Sequence, residues 1–143
     1  MVVTIISVAV LASCGLCSWG AYTLFNTAYQ QVAGATDVVN DYYTNLQARD
    51  YTAAYHDLAP QGLISSLTQE QFIQQAKQRD AQYGPVTSFV PGQPSFSSDP
   101  NTGPDLSRFT MTMDVKRPHL HYTVVLTVSK ISGNWKITDF DRI

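Results

Sequence analysis

The chain has 143 residues, 44% of them apolar, 14% charged and 11% aromatic, with a formal net charge of −2. That length fits one domain, and the composition is ordinary for a globular protein. The basic residues are scattered from Arg49 to Arg142 without forming a block, which argues against the basic face that nucleic-acid binding requires.

The charges are missing entirely from residues 1–36. Within that stretch, residues 2–25 read VVTIISVAVLASCGLCSWGAYTLF. As a helix this run spans about 36 Å, enough to cross a hydrocarbon core of about 30 Å. Trp19 and Tyr22 stand near one end, where interfacial aromatics belong. The favoured reading is an uncleaved transmembrane anchor. The alternative is a lipoprotein signal, because Leu11-Ala12-Ser13-Cys14 resembles a bacterial lipobox in which Cys14 is lipidated. Against the alternative, no Lys or Arg precedes the run, and the apolar residues continue past Cys14 to Phe25. The missing basic flank is also what a start placed downstream of the true one would give. Cys14 and Cys17 match a redox spacing but lack the βαβ context such a site needs. No Lys or Arg lies between the run and Arg49, so the positive-inside rule places the domain outside a single-pass cell-membrane anchor.

Residues 26–34 read as a short tether, and residues 35–143 as one α+β domain without cysteine, which must be stabilised by a packed core. A first helix is expected over Thr36 to Arg49, with Val39, Tyr42, Tyr43 and Leu46 on one face. Asp50 is placed to cap a second, short helix carrying Tyr51, Ala54, Tyr55 and Leu58, stopped by Pro60 and Gly62. Thr68-Gln-Glu-Gln71 is a capping box that opens a third helix, with Leu67 and Phe72 as its staple and Gly84-Pro85 as its stop. The period then changes to two. Val86 to Val90 reads as a short strand, and Pro91 to Pro104 as loop with a short strand near Phe96. Arg108 to Lys116 alternates cleanly, with Phe109, Met111, Met113 and Val115 on one face. His119 to Lys130 alternates again, Ser132-Gly133 makes a hairpin turn, and Asn134 to Asp141 forms a last strand. That strand is expected to carry Trp135 and Ile137 on one side and Phe140 on the other. Helices first and strands later imply helices packed on one face of an antiparallel sheet.

This layout resembles the nuclear-transport-factor-2-like (cystatin-like) superfamily, in particular its bacterial membrane-anchored and lipoprotein domains of unknown function. The resemblance rests on Val39-Asn-Asp-Tyr-Tyr-Thr-Asn-Leu46, Arg49-Asp-Tyr-Thr-Ala-Ala-Tyr55, Leu67-Thr-Gln-Glu-Gln-Phe72 and Gly133-Asn-Trp-Lys-Ile-Thr-Asp-Phe140. It implies a long helix lying across a curved sheet, a cone-shaped roll with a mostly apolar cavity. The superfamily includes isomerases, dehydratases, cyclases and protein-binding transport factors, so the fold does not fix the activity.

Tyr42, Tyr43, Tyr55 and Trp135 are the candidate cavity-lining residues, read as packing groups before they are read as catalytic ones. His119 and His121, two apart on an expected strand, are the sharpest local feature and are spaced to reach one metal, with His56 as a third candidate. With no carboxylate or cysteine at ligand spacing, neither a metal nor any other cofactor is assigned. No acid is inward by periodicity, and no catalytic residue is assigned. The expectation is a non-catalytic domain binding a partner protein or a small apolar ligand. The alternatives are a cavity enzyme of the isomerase or dehydratase type, or an envelope-assembly component that dimerises through a Thr-rich sheet face (Thr110, Thr112, Thr123, Val125 and Thr127).

Overall fold

The structure is a computed structural model that describes residues 32–99 and 103–140. The expected membrane segment, with Cys14 and Cys17, lies outside the described residues. Among the described residues no helix is long and apolar enough to cross a membrane.

Helix α1 occupies residues 32–47, α2 runs Tyr51–His56, a single 3₁₀ turn covers Gly62–Ile64, and α3 runs Gln69–Tyr83. Four strands follow: β1 Ser88–Asp99, β2 Gly103–Arg117, β3 Leu120–Ile131 and β4 Asn134–Phe140. They form one antiparallel meander in the order β1-β2-β3-β4. The helices cover one face. Val39, Tyr42, Tyr43 and Leu46 of α1 join Phe72 and Ala76 of α3 and the inward residues of β2 and β3 in a single core. The α+β reading holds, helices first and antiparallel sheet second.

The helix signals act as their chemistry dictates. Asp50 accepts a hydrogen bond from the Ala53 amide at 2.9 Å. At α3 both halves of the capping box form: the Gln71 amide donates to Thr68 Oγ1 at 3.3 Å, and the Thr68 amide donates to Gln71 Oε1 at 3.0 Å. Gly84 ends α3 at φ 83°, where a Cβ would sit 2.6 Å from the Pro118 ring, so both backbone and space require glycine. Ser132 and Gly133 have φ 50° and 87°, the two positive values a type I′ hairpin needs.

Four expectations change. The helix expected from Thr36 is already formed at residue 32, so the end of the expected tether is helical. Tertiary packing carries it back: Ala35 is buried, and a Cβ on Gly34 would come within 2.8 Å of Trp135. The expected loop from Pro91 is instead the body of β1, paired with β2 as far as Asp99. Proline lacks a ladder donor but is tolerated on an edge strand, and the register shift between Pro91 and Pro94 absorbs the misfit. His119 is not on a strand; it sits in the two-residue turn between the partners Arg117 and Leu120. Phe140 faces the core with Ile137, not away from it. Thr127 pairs with Asp139 and Val128 with Ile137, so Thr138 is the extra residue of a bulge, which reverses the alternation after it.

The outer edge of β4 is covered. Residues 57–61 run beside it, with Leu58 bridging Ile137, the Ala59 amide donating to the Ile137 carbonyl, and the Gln61 amide donating to that of Thr138. This pairing occupies the Ile137 amide and the Ile137 and Thr138 carbonyls, groups that an exposed edge would offer to other chains.

Candidate functional site

Where α3 crosses the β2–β3 end of the sheet, the core does not close. A small space of about 40 Å³ lies among Tyr42, Tyr43, Leu46, Phe72, Val124 and Phe140, and it is also lined by Gln75, Ala76, Arg79, Arg117 and Tyr122. Four of these residues (Gln75, Arg79, Arg117 and Tyr122) also line an open cleft of about 480 Å³, together with Gln78, Gln82, Tyr83 and Leu120. The two spaces adjoin through this shared wall. The cleft falls within the roughly 300–1,000 Å³ range of small-molecule sites.

Local sequence explains each wall. On α3, Phe72 and Ala76 face the core, and Arg79 is the next residue along that side, one turn nearer the end of the helix. On β2 the inward alternation Met111, Met113, Val115 continues to Arg117, where the apolar face runs out. A guanidinium therefore stands at the last core position of the strand.

Arg117 is almost wholly buried, its side chain 4% exposed. Its Nη1 donates to Asp80 Oδ1 at 2.6 Å and to the Gly84 carbonyl at 2.7 Å. Burial alone would draw its pKa down; hydrogen bonds to Asp80 and Tyr122 outweigh this and hold it above the usual arginine value. The other carboxylate oxygen of Asp80 accepts from the Tyr51 hydroxyl at 2.7 Å. Burial and that hydrogen bond push the Tyr51 pKa up to about 12. Arg49 approaches the same oxygen at 3.6 Å but is 60% exposed, so solvent screens most of its contribution. Arg79 makes no ion pair among the described residues, although it lines both spaces.

Tyr42 and Tyr43 line the smaller space, where burial raises both hydroxyls well above the usual phenol range. They are proton-holding groups there, not bases. Tyr55 lies outside the lining: its hydroxyl donates to the Leu67 carbonyl at 3.0 Å and its ring packs on Phe72 at 5.7 Å. Trp135 is likewise elsewhere, packed on Phe109 at 5.0 Å under Lys130. His121 pairs with Asp114 on the exposed sheet face, His119 is exposed in its turn, and His56 ends α2. These three do not converge, and no group of three or more metal-binding side chains occurs among the described residues. Asp57 is partly buried and its pKa is raised by that burial, but it lies at the end of α2 beside Asn45, outside the cleft. The Thr-rich face is open to solvent at Thr110, Thr112, Thr123 and Val125.

Sequence reasoning missed Arg79, Arg117 and Asp80. A signal existed for Arg117, which is in phase with Met113 and Val115. A signal existed for Asp80 too, which follows Phe72 and Ala76 at four-residue spacing on α3, but its partner Arg117 comes from where the sheet ends.

No family model matches the chain, and no curated protein matches it. Among solved structures it is similar to an NTF2-like protein of unknown function from Shewanella baltica OS155. The TM-score is 0.54 at 11% identity, over 78% of this chain and 91% of that one. The domain therefore has the NTF2-like fold that the helix and strand signatures imply, and at this identity the likeness speaks for the fold alone.

Proposed function

We propose that this domain is a non-catalytic binding module that takes a small ligand in the cleft between α3 and the β2–β3 end of the sheet. One observation carries the reading. The cleft is open, adjoins an apolar cavity, and is lined among the described residues by glutamines, arginines, tyrosines and aliphatic groups, without a carboxylate, imidazole or thiol. General acid–base chemistry near neutral pH is served best by a carboxylate or an imidazole within reach of the substrate, and neither stands in this lining. The acid–tyrosine pair that an isomerase would need is present as Asp80 and Tyr51, but Asp80 is held by Arg117 in an ion pair. Both Asp80 oxygens are engaged, one by Arg117 and one by Tyr51, and neither Asp80 nor Tyr51 lines the cleft.

The neutral probe 1-naphthylacetamide tests this. Added to the full chain, it is expected to shift the amide resonances of Ala76, Arg117 and Tyr122 and to leave those of Thr112 and Thr123, on the outer face, unmoved. Shifts confined to the outer face, or none at all, would remove the reading.

The uncharged segment at residues 2–25 supports a second part of the proposal, that the module is held at the outer face of a cell membrane. Protease added to intact cells should then digest the domain, and full protection would place it on the other side.

A further inference from the structure

We infer that the ligand of this cleft carries a single negative charge, a carboxylate, and that Arg79 reads it. The inference rests on the binding reading above and deepens it.

The cleft has two cationic side chains and no anionic one in its lining. They are not equivalent. Arg117 is buried, and its charge is balanced by Asp80, with one nitrogen committed to that carboxylate and to the Gly84 carbonyl. It is a fixed wall whose position is set by the fold. Arg79 stands one residue before Asp80 on α3, partly exposed, and makes no ion pair among the described residues. The cleft therefore presents one uncompensated positive charge at the point where the apolar cavity opens.

A guanidinium offers a planar fork of donors that matches a carboxylate in two parallel hydrogen bonds. The surroundings suit the rest of such a ligand. Gln75, Gln78 and Gln82 on α3 supply neutral donors and acceptors, while Tyr83, Leu120 and Tyr122 supply apolar surface for an organic body. One net charge matches a monoanion. A phosphate dianion would bring a second charge with no second unpaired cation to meet it.

The test compares 1-naphthylacetate with its neutral amide, 1-naphthylacetamide, by calorimetric titration of the full chain and of Arg79→Gln. Arg79 is partly exposed and unpaired, so the variant is expected to fold with an unchanged melting temperature. For the wild type the carboxylate should bind about tenfold more tightly than the amide, as one charge-assisted hydrogen-bonded pair allows. In Arg79→Gln that preference should collapse to near unity, the carboxylate losing more affinity than the amide. Equal binding of the two probes by the wild type would overturn the carboxylate inference and leave the binding reading standing. A preference that survives Arg79→Gln would overturn the role given to Arg79. Tighter binding of 1-naphthyl phosphate than of the acetate would overturn the single-charge assignment. Failure of both naphthyl probes to bind would bring down the binding reading itself.

Discussion

Asp80→Ala should cost the fold about 3–5 kcal/mol, the usual consequence of removing one partner from a buried ion pair. The reason is the charge left behind. The Arg117 side chain is 4% exposed and that of Asp80 10%, so neither group is well hydrated, and the lost carboxylate cannot be replaced by bulk water. The Gly84 carbonyl remains as an acceptor but carries no charge. The Tyr51 hydroxyl loses its acceptor in the same step. Arg49, largely in solvent, contributes little either way. Equilibrium urea unfolding of the full chain measures the loss. A companion variant separates the cost of an orphaned charge from the cost of lost packing. The double substitution Asp80→Leu with Arg117→Met removes both charges at once and should lose less than Asp80→Ala alone, because well-packed apolar groups often match a buried pair. An Asp80→Ala protein within about 1 kcal/mol of the wild type would mean that Arg117 finds water or another partner, and that the cleft wall is not fixed by this pair.

Phe109→Ala should cost a similar amount, about 3–5 kcal/mol, for a different reason. Phe109 is 1% exposed at the middle of β2, opposite Phe96 on β1 and Val128 on β3. Its ring lies 5.6 Å from Phe96 and 5.0 Å from Trp135. Truncation opens a cavity between two strands whose pairing limits collapse, and it removes two aromatic contacts worth about 0.5–1.5 kcal/mol each. Phe96→Ala, at the half-exposed edge strand, should cost clearly less. Phe109 does not line the cleft, so probe binding by the folded fraction should be unchanged. A loss under about 1 kcal/mol would show that this end of the sheet repacks freely around Trp135.

The sequence by itself determined the elements whose signals are local. Asp50, the Thr68–Gln71 box, Gly84 and Ser132-Gly133 act within a few residues of themselves, so their chemistry is complete without the rest of the chain. The alternation of Phe109, Met111, Met113 and Val115 likewise fixes a buried face before any partner strand is known. Tyr42 and Tyr43 were legible as lining residues because the helical period puts them on the core side.

What only the tertiary structure decided depends on contacts between distant segments. Pro91 and Pro94 read as loop until β1 is seen to be an edge, where a missing amide costs no ladder bond. Phe140 points inward because a bulge at Thr138, invisible in the residue pattern, shifts the register by one. Tyr55 and Trp135 are spaced to face a cavity, but a carbonyl at Leu67 and a ring at Phe109 claim them first. The cleft itself is the clearest case. Arg79, Asp80 and Arg117 lie up to 38 positions apart in the sequence. Their charges become a wall, a counter-ion and a free reader only once α3 is laid across the end of β2, because burial and pairing, not residue type, decide which charge is balanced and which is left for a ligand.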